Sequence, residues 1–125
     1  MRAIKQLTRT EFQVMATLWN LPEGKGGCTG DILEKYEGSK PAYTTLATFL
    51  KILTNKGFVR CKKRDNKLFY TPIISQEDYA KVYITPIRKT FFHESFTDMF
   101  RYIIDLEKPT ADEIDQAIEL LQARK

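Results

Sequence analysis

Four polar side chains recur at helical spacing in the stretch between Pro41 and Gly57, and they are Thr44, Thr48, Lys51 and Asn55. At about 100° per residue they fall on one side of a helix, and the large apolar residues fall on the other. Hydroxyl, amide and ammonium groups can contact base edges and phosphates in a DNA major groove. The alternative is a polar surface helix that is rich in threonine, and the helix taken alone favours this alternative.

A cationic segment directly follows this helix. Two β-rich runs, Phe58–Arg64 and Leu68–Ile73, flank a short Asp-Asn-Lys loop, which is typical of a β-hairpin. The tip carries four cations and one carboxylate. A solvated loop would explain such a charge run. Because the hairpin follows a groove-type helix, we interpret it as a wing that lies over the phosphate backbone.

The elements before the polar helix predict a helix-turn-helix. Thr8 and Glu11 form a capping box that starts the first helix, and a flexible loop is expected at residues 23–27. A second helix over about 29–36 leads through a glycine-containing turn into the polar helix. Pro41 suits the first position of that helix, and Gly57 suits its left-handed stop.

The residues after the hairpin predict only helices. Ser75 caps one helix, and Pro86 kinks or restarts it. A further helix is expected at about 95–106, and the capping box of Thr110 and Glu113 opens the last one. Their apolar stripes predict a dimerisation region, with packing onto the chain's own winged domain as the alternative. The residues assigned to the dimer contact are Tyr79, Tyr83, Ile87, Phe96, Phe100, Ile103, Ile114, Ile118 and Leu121.

The charge of the chain is divided between its two parts. Residues 1–74 hold 13 basic and 6 acidic residues, whereas residues 75–125 hold 7 and 10. We therefore expect a winged-helix DNA-binding domain at 1–74 and a helical dimerisation region at 75–125. The fold class is mainly α with a small β-hairpin.

Several other functions lack a sequence signal. Cys28 and Cys61 form no metal-ligand pattern, and the single histidine, His93, has no partner at ligand spacing. No phosphate loop, GxSxG or HExxH motif is present, so we expect no enzyme, catalytic residue, metal or cofactor. No apolar run reaches membrane-spanning length and no signal peptide is evident, so we expect a cytoplasmic protein.

The order of these motifs resembles the penicillinase-repressor family, which includes the methicillin-resistance regulator and copper-responsive repressors. The segments that carry the resemblance are LTRTEFQVMATLW, TGDILEKY, AYTTLATFLKILTNKGFV, KKRDNKLFYTPI and the tail EKPTADEIDQAIELL. The resemblance implies a homodimeric winged-helix repressor of antibiotic-resistance or related genes that binds palindromic operators. It places Thr45 and Thr48 on the recognition helix and Lys62, Lys63 and Lys67 on the wing.

The resemblance also implies control by a membrane sensor-protease pathway that cleaves the tail. The typical Asn-Phe cleavage pair is missing here, and the nearest match is Tyr102-Ile103. The cysteine-containing tail motif of the copper-responsive members is missing as well. The candidate cleavage region is therefore Tyr102 and Ile103, and copper sensing is not expected.

These observations lead to one set of expected DNA contacts. Base contacts are assigned to Tyr43, Thr44, Thr45 and Thr48, and phosphate contacts to Lys51, Lys62, Lys63, Arg64 and Lys67. Two alternatives stay open. One is a ligand-sensing winged-helix regulator with an aromatic pocket at Tyr79, Tyr83, Phe91 and Phe96, and the other is a protein–protein adaptor that never binds DNA.

Overall fold

The computed structural model describes residues 4–22 and 25–125 and contains helices and one small sheet. The elements in chain order are α1 (Arg9–Trp19), β1 (Gly27–Cys28), α2 (Thr29–Lys35), α3 (Tyr43–Asn55), β2 (Val59–Arg64), β3 (Lys67–Pro72), α4 (Gln76–Phe92), α5 (Phe96–Glu107) and α6 (Ala111–Ala123). The expected fold class, mainly α with a small hairpin, is confirmed.

Local capping signals determine where several helices begin. The capping box of Thr8 and Glu11 is present at α1, and that of Thr110 and Glu113 is present at α6. The Ser75 hydroxyl accepts the amide hydrogen of Asp78 and so caps α4, as predicted. Gly57 follows α3 with φ of 82°, a conformation that residues with a Cβ rarely adopt.

Two proline predictions were wrong in part. Pro41 is not the first residue of α3, because Ala42 is the N-cap and the helix starts at Tyr43. Pro86 does not restart the tail helix, since α4 runs through it from Gln76 to Phe92.

The sheet has three antiparallel strands in the order β1-β3-β2. The β2–β3 hairpin turns at Asp65 and Asn66, which both have positive φ, as a tight two-residue turn requires. The short strand β1 was not predicted: its Gly27 falls in the expected flexible loop, of which residues 23–24 lie outside the described ones. Gly26 lies so close to β3 that an added Cβ would be 2.0 Å from the Tyr70 carbonyl oxygen.

The chain divides into two compact units, Met1–Tyr83 and Ile84–Lys125. The predicted boundary at residue 74 differs from this division because the first part of α4 belongs to the core of the first unit. Tyr79 is 1% exposed there, and its hydroxyl accepts the Leu7 amide hydrogen at 2.6 Å. Trp19 donates its indole N–H to the Ile74 carbonyl at 2.9 Å and holds the segment before α4 in place.

The second unit consists of helices that leave their apolar side chains exposed. No residue of 84–125, all of which the structure describes, is buried. The exposed apolar side chains of this unit include Ile87, Phe91, Phe96, Ile103, Ile114, Ile118 and Leu121.

Candidate nucleic-acid interface

Helix α3 has one buried face and one open polar face. Leu46, Leu50 and Leu53 are fully buried in the core of the first unit. Thr44, Thr48, Lys51 and Asn55 are exposed, as are the expected base-contact residues Tyr43 and Thr45. The sequence periodicity therefore identified the open face of this helix, because amphipathic helices bury their apolar stripe.

The open face of α3 keeps hydrogen-bonding groups available. The Thr48 hydroxyl donates to the Thr44 carbonyl at 3.0 Å, which leaves its oxygen lone pairs free to accept. Tyr43 is 58% exposed at the first turn of the helix. These hydroxyl groups suit contacts to base edges or sugar-phosphate oxygens.

The first turn of α3 has no side-chain cap. Ala42 stands at the N-cap position, and no acidic residue lies in the first turn. The amide N–H groups there point outward from the positive end of the helix dipole, where an anion such as a phosphate is stabilised. Sequence analysis missed this feature, although the absence of Ser, Thr, Asp or Asn before Tyr43 was a readable signal.

The hairpin that follows α3 carries exposed cations along its whole outer half. Lys62, Lys63, Arg64 and Lys67 are all exposed, in agreement with the predicted position of a wing. The Arg64 guanidinium lies 4.9 Å from the centroid of the Phe69 ring, a cation–π contact that restrains the arginine. Arg60 is an exposed cation on the same hairpin that sequence analysis did not assign.

A partly buried ion pair fixes the end of α3 to the start of α1. Lys56 donates from Nζ to both carboxylate oxygens of Glu11, at 2.7 and 2.9 Å. Burial opposes ionisation of Glu11, but the hydrogen bonds from Lys56 and Thr8 outweigh it and lower the pKa of this carboxyl. Glu11 is therefore a positioning residue for α3, which its role in the capping box alone did not reveal.

The core of the first unit extends to an aromatic cluster on α4. Tyr79 and Tyr83 pack with Phe12 and Trp19 at centroid distances of 5.3 to 6.2 Å. Burial, followed by the hydrogen bond with Tyr83, raises the pKa of Tyr79 to about 12. The expected dimer contact of Tyr79 conflicts with this burial, because its ring is enclosed by the chain's own side chains. The same packing argues against an open aromatic pocket at this residue.

Cys28 takes part in local hydrogen bonds at the start of α2. Cys28 lies beside Asp31, whose carboxylate accepts the Cys28 amide hydrogen at 3.0 Å and its thiol hydrogen at 3.3 Å. These two bonds lower the pKa of Asp31. Within the described residues there is no group of three or more His, Cys, Asp or Glu side chains placed to hold a metal ion.

The second unit carries apolar depressions. One of about 800 Å³ is lined by residues that include Ile87, Phe91, Tyr102 and Ile103. Another of about 280 Å³ lies between α5 and α6 and is lined by Phe100, Ile103, Ile114, Ile118 and Leu121 among others. Seven of the nine residues expected to form the dimer contact, all but Tyr79 and Tyr83, belong to this unit.

Helix α3 has one buried apolar face and one open polar face, and a β-hairpin follows it. This arrangement defines a winged helix, a class of fold built around a recognition helix and a wing. The family model for the penicillinase repressor matches residues 7–123. The chain therefore belongs to the penicillinase repressor family, a family of transcriptional repressors, and the resemblance found in the sequence is confirmed.

Comparison with solved structures gives a further likeness. The chain is similar to the solution structure of BlaI from Bacillus licheniformis, in its monomeric form and in complex with the blaP half-operator. The identity is 28%, the match covers 63% of this chain and 94% of that chain, and the TM-score is 0.49. No curated protein sequence matches the chain.

In residues 4–22 and 25–125, no helix has both the length and the apolar character needed to span a membrane.

Proposed function

We propose that this protein is a homodimeric winged-helix repressor that binds palindromic operator DNA and controls antibiotic-resistance or related genes. One observation carries the proposal: α3 presents an uncovered face of threonine, asparagine and lysine side chains next to a hairpin of exposed cations. Membership of a repressor family supports the same reading. No catalytic step is part of the proposal, and the site of action is cytoplasmic because a repressor works where the DNA is.

The proposed contacts follow from the two elements. Hydroxyl groups of α3 contact base edges in the major groove, and the assigned residues are Tyr43, Thr44, Thr45 and Thr48. Cations of α3 and the wing neutralise phosphates, and the assigned residues are Lys51, Lys62, Lys63, Arg64 and Lys67. The uncapped amides at the start of α3 add a phosphate contact close to the bases.

Dimerisation is supported by the lack of any buried residue in the second unit. A helical segment of this size cannot be stable with its apolar side chains in water, because their burial is what offsets the loss of chain entropy. A second copy supplies the same helices and the same apolar side chains, so a symmetric contact covers both sets. Two winged domains then face two half-sites of a palindrome.

Control by a sensor-protease pathway is a further part of the proposal. Tyr102 and Ile103, the candidate cleavage region, are 56% and 45% exposed in the middle of α5. Their backbone is helical, so cleavage requires local unwinding of α5. Cutting there would weaken the dimer and remove the gain in affinity from binding two linked half-sites.

The test is selection of bound duplexes from a random pool, with the particle mass measured in parallel. We expect a palindromic consensus bound by two chains. Enrichment of no sequence, together with duplex binding that does not respond to salt, would reject DNA reading and favour a protein–protein adaptor. A ligand-sensing regulator would instead release the selected duplex when a small effector is added, without cleavage of the chain.

A further inference from the structure

Helix α3 begins after Ala42, a residue that cannot supply a capping side chain. Thr8 and Thr110, in contrast, cap α1 and α6 with their hydroxyl groups. The first turn of α3 also carries Tyr43 and Thr44, two of the residues assigned to base contacts. The position of this turn therefore depends on the segment that precedes the helix and on the groups that hold that segment.

The preceding segment is the turn of residues 36–42, which leads from α2 into α3. Gly38 has φ of 82°, so the chain bends here in a conformation that favours glycine. The Lys40 ammonium donates to the Glu34 carbonyl at 3.3 Å and ties the turn to the end of α2. Residues 37–40 are exposed, so burial contributes little to holding them in place.

A side chain of α1 ties the same turn to the core of the first unit. Gln13 donates from Nε2 to the Glu37 carbonyl at 2.8 Å, across 24 positions of the chain. A Cβ added at Gly38 would lie 3.9 Å from the same nitrogen, so the Gln13 side chain lies against the turn. The next residues of the helix, Val14 and Met15, are fully buried, which fixes the backbone at Gln13. The turn is thus attached to a well-packed part of the fold.

Helix α1 therefore holds the recognition helix at both ends. The ion pair of Glu11 with Lys56, at 2.7 Å, holds the residue at which α3 ends. Gln13 holds the turn from which α3 starts, and the buried leucine stripe fixes the middle of the helix. Loss of the Gln13 contact consequently loosens the first turn of α3 and leaves the rest of the helix in place.

We propose that Gln13 is a positioning residue for base reading, because it holds the turn that sets where Tyr43 and Thr44 meet base edges. This inference rests on the proposed function. Hydrogen bonds form over donor–acceptor distances of only about 2.7–3.2 Å, so a displacement of about 1 Å removes a base contact. Phosphate contacts made by long, flexible lysine side chains tolerate such a displacement. Loss of the Gln13 contact thus lowers discrimination among sequences more than it lowers affinity for DNA in general.

The test compares the full chain with Gln13→Met, which keeps the length and helix propensity of the side chain but removes its N–H donor. Affinities for the selected palindrome and for an unrelated duplex of the same length are measured at one salt concentration. The ratio of the two affinities should fall at least about threefold, since one hydrogen bond of ordinary strength is lost from each chain of the dimer. A repeated selection should show lost preference at the base pairs that Thr44→Ala affects, but not at those that Thr48→Ala affects.

Three further variants separate positioning from general effects. Gln6→Met makes the same exchange at an exposed position outside α1 and the turn, and it should keep the wild-type ratio. Gln13→Lys restores a donor of similar reach, and it should recover the ratio when it is compared with Gln6→Lys, which adds the same charge. Thermal melting verifies that each variant is folded at the temperature of the assay.

Several results would overturn the inference. An unchanged affinity ratio in Gln13→Met, beside a wild type that selects the palindrome, would show that the turn is held without this contact. An equal loss of affinity for both duplexes would show that Gln13 serves stability alone. Lost preference spread evenly over the palindrome, or no recovery in Gln13→Lys, would show that the contact does not act through the first turn of α3. A wild type that selects no sequence would reject the proposed function, and the inference with it.

Discussion

The salt dependence of operator binding tests whether Lys51 of α3 and Lys63 of the wing face the same duplex. Both side chains are exposed. With Lys62, Arg64 and Lys67 they give about five phosphate contacts per chain and about ten per dimer, so the slope of log K against log salt is about −9. Affinity of the wild type should then fall about 3 × 10⁵-fold between about 50 and 200 mM salt.

Replacing Lys51 and Lys63 together by alanine removes about four contacts per dimer. The slope should become about −5.4, and the same change in salt should lower affinity only about 2 × 10³-fold. The measurement is a titration of the selected duplex by fluorescence anisotropy at four or more salt concentrations. Lys35→Ala with Lys89→Ala serves as the charge-matched control and should keep the wild-type slope, because neither residue lies on α3 or the hairpin.

A slope for the Lys51 and Lys63 variant that equals the control would refute this reasoning. It would mean that net charge, rather than the position of the cations on α3 and the wing, determines the attraction to DNA. Uniform weakening across unrelated duplexes is expected as well, since phosphate contacts carry no sequence information. A selective loss for the palindrome alone would also contradict the assignment.

The remaining predictions concern base reading, assembly and stability. Thr48→Ala should change the selected consensus, as a repeated selection would show. It should also weaken the binding free energy for the original palindrome by about 1–3 kcal/mol per lost base contact. Ile118→Asp should weaken self-association more than about 100-fold, as measured by analytical sedimentation, because a carboxylate would enter the apolar contact. Glu11→Gln should lower the free energy of unfolding by about 1.5–3 kcal/mol near neutral pH. That loss should vanish in acid. Because the pKa of Glu11 is lowered in the folded state, its ionisation stabilises the fold at pH above the ordinary carboxyl pKa, and this stabilisation is lost as pH falls through the pKa of the folded state. The raised pKa of Tyr79 stabilises the fold below about pH 10, and this contribution should disappear as pH rises through about 12. Tyr79→Phe should flatten that alkaline decline in urea unfolding, whereas Tyr102→Phe at an exposed position should not.

Tertiary packing corrected the sequence-based prediction most clearly at α4. The helix around Tyr79 was predicted correctly from its spacing, but spacing does not reveal which part of the protein packs against the apolar face of a helix. Tyr79 contacts Phe12, Trp19 and the Leu7 amide, which are 60 or more residues away in the chain. The short strand β1 was missed for a related reason, because two residues carry no periodicity and their pairing with β3 is a distant contact.

The sequence alone determined the local features of this protein. Near neighbours form the capping boxes of Thr8 with Glu11 and of Thr110 with Glu113, and the tight turn with positive φ at Asp65 and Asn66, so residue type suffices to predict them. The polar face of α3 and the charge of the wing could be read in the same way. Only the tertiary structure decided that Glu11 holds Lys56, that Tyr79 belongs to the first unit, and that the hairpin has one face towards the core and one cationic face towards solvent. These outcomes depend on groups that folding brings together from distant positions, and no local pattern encodes such contacts.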